Sequence, residues 1–214
     1  KNINFSYNQN QKVILKNINL EIKKGDKIGI KGTTGSGKTT LGHLIIGLLN
    51  PTDGQLIIDD VEINNQNKNS WYKNISVIPQ VIFLNDVSIA QNIAIGVDLK
   101  DIDMKKIKEV AKQAQLIEFV ESLPEKYETR VGERGVKLSG GQRQRIGIAR
   151  ALYRSAKIIL FDEATNQLDT DTEASIMNSI SDLDKEITVI FITHRLSTLE
   201  NCDQIIDLSK KQEN

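Results

Sequence analysis

The sequence predicts an α/β fold, and three observations carry that prediction. Residues 158–161 are a short, unbroken apolar run and 189–193 are apolar up to Thr193, the pattern of strands buried on both faces of a mainly parallel sheet. A glycine-rich stretch, 32–39, joins the apolar run Ile28, Gly29, Ile30 to the apolar stretch 41–49, which reads as strand, turn and helix. From residue 102 to 123, Ile107, Val110, Ala111, Ala114, Ile117 and Val120 recur at helical spacing. These fit a strand–helix core carrying a helix-rich insertion at roughly residues 86–152.

Each element follows from local pattern. Val13 to Leu15, then Ile18, Leu20 and Ile22, keep strand period before a turn at residues 23–26. The helix over 41–49 is closed by Asn50 and Pro51. Residues 54–63 read as a hairpin about Asp59 and Asp60, and Ile75–Ile78 as a further strand. Asp101 or Asp103 is placed to cap one helix spanning 102–123. Thr170 and Glu173 form the spacing of a capping box that opens a helix towards Leu183.

Composition narrows the classes. With 214 residues, 39% of them hydrophobic and 26% charged, the chain can bury a substantial core. Its 28 basic and 28 acidic residues balance, so nucleic-acid binding by bulk positive charge is not indicated. Cys202 is the only cysteine, which excludes an intrachain disulfide and a metal finger and fits a cytosolic setting. No apolar stretch approaches the roughly 18 residues of a spanning helix, and KNINFSYN has no secretory pattern. The chain starts inside an expected strand without Met, which suggests a piece of a longer protein.

Gly32, Thr33, Thr34, Gly35, Ser36, Gly37, Lys38 and Thr39 match G-x-x-x-x-G-K-[ST] in the strand-to-helix setting that the motif requires. Glycines let backbone approach phosphate oxygens closely, and the helix N-terminus adds a favourable field. Lys38 can then reach the β- and γ-phosphates, and the Thr39 hydroxyl can ligate Mg²⁺. A glycine-rich turn with a surface lysine would not need so many constraints.

Asp162 and Glu163 close the run 158–161, at the strand ends where ligands gather in open α/β sheets. Alternation along a strand would turn one carboxylate to Mg²⁺ and the other to water: Asp162 suits the metal, Glu163 a general base. His194 ends the run 189–193 and is placed to hydrogen-bond a γ-phosphate, although a lone histidine is more often structural. His43 reads as packing.

Leu138, Ser139, Gly140, Gly141 and Gln142 make a second helix start suited to an anion, with Ser139 as the cap. A chain holding one nucleotide has no evident need for two such starts, unless the second serves a nucleotide held by a partner.

At this point the sequence resembles the nucleotide-binding domain of ATP-binding-cassette (ABC) transporters, over nearly its whole length and with motifs in the family's order. That resemblance implies a phosphate-loop, RecA-like core with a mainly parallel sheet, an N-terminal antiparallel β subdomain and an inserted α-helical subdomain, the whole of 1–214 being one ATPase domain. It implies ATP held by Tyr7, which resembles the residue stacking on adenine, by residues 32–39 with Thr40, by Gln80, and by Ser139, Gly141 and Gln142 acting on the nucleotide of an opposite subunit. It implies Thr39, Asp162 and Gln80 about Mg²⁺, Glu163, His194 and Lys38 in catalysis, Asp169 at a dimer interface and Glu133 near the coupling helices. Unaided, Tyr7 reads as a half-buried strand aromatic, Gln80 as a surface amide and Glu133 as a solvated acid beside Arg134. Asn166, where the family usually has serine, and Val81, where exporters often have proline, depart from the pattern.

The stretch VGERG at 131–135 and LNDVSIAQNIAIG at 84–96 resemble the exporter branch; the tail HRLSTLENCDQII resembles lipid-linked oligosaccharide flippases. The implied partners are a second copy of the domain and a membrane domain fused upstream, at the cytoplasmic face of the membrane, with no nucleic acid. ABC ATPases of DNA repair or translation are the alternative. Against them, no heptad array lies between Lys38 and Ser139, and only one cassette is present. A GTPase or kinase reading leaves residues 138–142 and Tyr7 unexplained.

Overall fold

The structure is a computed structural model that describes residues 1–8, 13–164, 170–181 and 186–209. Chain contacts group into two units, the first comprising 1–75, 157–162 and 185–214, the second 76–156 and 163–184.

In the first unit, β1 (Ile3–Phe5) pairs antiparallel with β2 (Leu15–Ile18), and β4 (Ile57–Ile58) with β5 (Val61–Glu62). Asp59 and Asp60 turn the second hairpin with φ of 48° and 64°, the left-handed pair of a two-residue turn. The strand expected through Leu20 and Ile22 stops at Ile18. The main sheet of this unit contains β3 (Lys27–Lys31), β7 (Ile158–Asp162), β8 (Thr188–Ile192) and β9 (Gln204–Asp207), in the order β7-β8-β3-β9. The strand β6 (Ile75–Ile78) begins at the end of this unit, and its residues 76–78 belong to the second. Pairing of β7 with β8, β8 with β3 and β3 with β9 is parallel throughout.

Helix α1 (Lys38–Ile45) lies against β3, β7 and β8. It ends four residues earlier than the apolar stretch suggests. Gly47, at φ 73°, lets the Leu48 N–H reach the His43 carbonyl and its own N–H reach Leu44, which closes the helix and releases Leu48 and Leu49. Phe5, Leu15, Ile28, Ile30, Leu41, Leu44, Leu160, Ile190 and Ile192 form the core between helix and sheet. Helices α2 (Lys68–Tyr72) and α8 (Leu196–Leu199) complete the described elements of this unit.

Beyond β6 the second unit is mainly helical: α3 (Ile89–Ile93), α4 (Met104–Gln113), α5 (Ile117–Ser122), α6 (Gly140–Tyr153) and α7 (Thr170–Ser181). Asp103 is the cap of α4, accepting from the Lys105 and Lys106 N–H groups. The single helix expected over 102–123 is in fact two. Gln115 adopts φ 53°, and its N–H and that of Leu116 turn back to the Lys112 and Ala111 carbonyls. That is a Schellman closure with glutamine where glycine is usual, so composition gave no sign of the break. Thr170 lies inside α7 rather than ahead of it, and the residues before it are outside the described part.

Candidate nucleotide site

Parallel register aligns the carboxyl ends of the central strands. Ile30 is opposite Ile192, and Ile192 is opposite Asp162. The loop 32–37, the Asp162 carboxylate and His194 therefore leave the same edge of the sheet, within the first unit.

The loop enters α1 through Gly37, the N-cap, at φ 95°. A Cβ there would lie 3.0 Å from both Ile14 and Leu15, so glycine meets a conformational and a steric demand at once. No side chain caps α1, and the first N–H groups of a helix have no partner within it. At Gly35, φ 79°, an added Cβ would meet nothing within 4 Å, so the turn is open there. The buried Ser36 hydroxyl finds no protein partner among the described residues. An open turn, an uncapped helix start and a spare buried hydroxyl suit phosphate oxygens.

Lys38 is 6% exposed and donates to the Gly32 and Thr33 carbonyls, both at 3.1 Å. Thr39 donates its hydroxyl to Asp162 Oδ1 at 3.3 Å, joining residues far apart in the chain. This hydroxyl and carboxylate are hard oxygen donors, the set that Mg²⁺ takes beside substrate phosphates. Thr40 is buried, and its hydroxyl shares a hydrogen bond of 3.1 Å with the Tyr7 hydroxyl. The Tyr7 ring meets Phe5 edge-on, centroids 5.0 Å apart, and is 56% exposed. Thr33 and Thr34 are exposed on the loop.

Strand alternation does not govern Glu163, contrary to the expectation from sequence. The strand ends at Asp162, and Glu163 takes φ 51°, a left-handed conformation uncommon for glutamate. Its direction is set by that turn. His194 lies two residues past β8 and is exposed.

In the second unit, Ser139 is the N-cap of α6. Its hydroxyl accepts from the Gln142 N–H, while Gln142 Oε1 accepts from the Ser139 N–H at 2.8 Å. Gly141 lies in the first turn of α6. Gln80 is exposed just after β6, and Glu133 is exposed at the start of a 3₁₀ turn, residues 133–135. Asp169 and Asn166 lie outside the described residues. Sequence reasoning missed Arg150, whose Nε and Nη1 bond the Asn92 and Phe83 carbonyls at 2.9 and 3.2 Å. Burial lowers its pKa, and it ties the segment after Gln80 to α6. Nothing in its neighbours' types marks it.

This is the site of a phosphate-loop nucleotide-binding domain. Residues 15–166 match the family model described as ABC transporter, and the chain belongs to that family. It is 40% identical over 206 residues to the ATP-dependent lipid A-core flippase of Pasteurella multocida, which covers 96% of this chain and 35% of the relative. It is 45% identical over 210 residues to the leukotoxin translocation ATP-binding protein LktB of Mannheimia glucosida, covering 98% and 29% respectively. The chain thus spans about a third of the length of these curated relatives. Among solved structures, a bacterial Atm1-family ABC exporter with ATP bound is similar at TM-score 0.86 and 36% identity, over 97% of this chain and 36% of that one. The chain is an ATP-binding domain of exporter type within that family. Among the described residues, no helix is long and apolar enough to cross a membrane.

Proposed function

We propose that this domain hydrolyses ATP to drive an exporter whose membrane part lies elsewhere in the full protein, at the cytoplasmic face of the membrane, with two copies of the domain closing on ATP. The observation that carries the reading is the first turn of α1, where Lys38 faces the phosphate loop and Thr39 reaches Asp162. Loop N–H groups and Lys38 neutralise the β- and γ-phosphates. Thr39 and Asp162 offer oxygen ligands for Mg²⁺, with Gln80 as the further ligand that the family resemblance supplies. Held by these residues, Mg²⁺ would supply positive charge against the charge of the transferring group. Glu163 accepts the proton of the attacking water, and His194 hydrogen-bonds the γ-phosphate.

Tyr7 stacks on adenine. Ser139, Gly141 and Gln142 grip the γ-phosphate of a neighbouring copy's nucleotide, Asp169 lies at that interface, and Glu133 meets the membrane part. Residues of about 86–152 make up the helical subdomain. Loss of the bridging γ-phosphate then frees the pair, a ligand-biased two-state equilibrium. For the cargo, the tail HRLSTLENCDQII and the flippase name of the Pasteurella relative support a lipid-linked saccharide; transbilayer movement of a labelled glycolipid by the full-length protein in vesicles tests it.

Glu163→Gln decides the mechanism. It should retain ATP, accumulate a dimer in size-exclusion chromatography and lose turnover by about 10²–10⁴-fold. Hydrolysis at the parental rate would remove Glu163 as the base. A strictly monomeric ATP-loaded variant would remove the paired site.

A further inference from the structure

We propose that Thr40 is a positioning residue for the adenine platform: its hydroxyl locks the Tyr7 ring in place, so that base and phosphates are recognised from one turn of α1. The proposal rests on the reading of Tyr7 as the residue that stacks on adenine, and it gives the Thr40 hydroxyl a task separate from contact with phosphate.

The geometry is specific. Consecutive residues of a helix point about 100° apart, and the three side chains of this turn serve three different partners. Lys38 turns back on the Gly32 and Thr33 carbonyls, Thr39 reaches Asp162, and Thr40 reaches Tyr7. Thr40 is 6% exposed, so its hydroxyl cannot rely on solvent for a partner, and the phenol supplies one at 3.1 Å. Tyr7 itself projects from beyond β1 and is more than half exposed. An aromatic side chain so placed would sample several rotamers.

Two contacts prevent that. Phe5, buried in the core, meets the ring edge-on at an interplanar angle of 86°, and Thr40 holds the hydroxyl. The ring is held by Phe5 and, at its tip, by Thr40, while more than half of the residue stays open to a ligand. A platform fixed before the ligand arrives costs less ordering on binding. Because α1 also carries the phosphate-facing residues, ring and loop keep a fixed separation. That favours a nucleotide whose base lies at the matching distance over phosphate chains without a base.

The test compares ADP with inorganic tripolyphosphate by titration calorimetry on the chain and its variants. Tyr7→Phe removes only the phenol hydroxyl. It should weaken ADP binding threefold to tenfold, the range for one lost hydrogen bond, and leave tripolyphosphate affinity unchanged. Thr40→Val should weaken ADP to a similar extent beyond any change in tripolyphosphate affinity. Thr40→Ser, which keeps the hydroxyl, should restore ADP binding. The pair Tyr7→Phe with Thr40→Val should bind ADP no more weakly than the weaker single variant, because both remove the same bond.

ADP binding by Tyr7→Phe at parental strength or tighter would overturn the proposal, as would losses that multiply in the double variant. Tyr7→Ala separates the underlying reading: if it binds ADP as well as the parent, the adenine platform itself falls. If it loses ADP affinity while the hydroxyl variants do not, only the positioning role falls.

Discussion

Lys38 is held at 6% exposure with its ammonium turned to two carbonyls of its own loop, a contact that a triphosphate would displace. Lys38→Met should lower ATP turnover about 100-fold or more, read as phosphate release, because a preorganised positive charge is lost. Cys202 behaves differently. Burial, with Asp203 as the lesser cause, pushes its thiol up to about 11, so the thiolate is scarce at neutral pH. Alkylation by iodoacetamide should be slow at pH 8 and should keep rising up to about pH 11 in the folded chain, whereas in denaturant it should level off near the ordinary thiol value. At this scale Lys38 and Thr39 were legible because G-x-x-x-x-G-K-[ST] is a contiguous pattern. The left-handed turn at Glu163 was not, since no residue type there asks for positive φ.

Element ends show where local pattern stops being sufficient. The cap at Ser139 was readable, and that of α4 was narrowed to Asp101 or Asp103, because caps act on N–H groups only two or three residues away. The break between α4 and α5 was hidden, because apolar spacing continues across it while Gln115 occupies the position that glycine usually takes. Gln115→Gly should therefore stabilise the chain by about 0.5–1 kcal/mol, seen as a higher denaturant midpoint with unchanged slope. The Arg145 bond to the Gln115 carbonyl uses main chain and survives the change. Leu20 and Ile22 kept strand period without joining β2, since period alone supplies no pairing partner.

At the scale of the whole molecule, the residues proposed to act on ATP fall in two contact units: the phosphate loop, Asp162, Tyr7 and His194 in one, Gln80, Glu163 and the 138–142 segment in the other. Balanced charge argues against a nucleic-acid partner. Duplex DNA or RNA at low salt should change ATP turnover by less than about twofold, since a chain of balanced net charge gives bulk counterion release little to act on. Marked stimulation by either would move the chain to the nucleic-acid-linked class.

The sequence alone determined the α/β class, the phosphate loop, the start of α6 and, through motif order, the ABC family. Each is written in consecutive residues whose backbone and caps interact at short range. Tertiary structure alone decided that Thr39 meets Asp162 and Thr40 meets Tyr7, partners separated by 123 and 33 positions. It also decided that three strand ends finish level at one sheet edge. Such meetings depend on strand register and chain closure, which many sequences with the same local pattern would resolve differently.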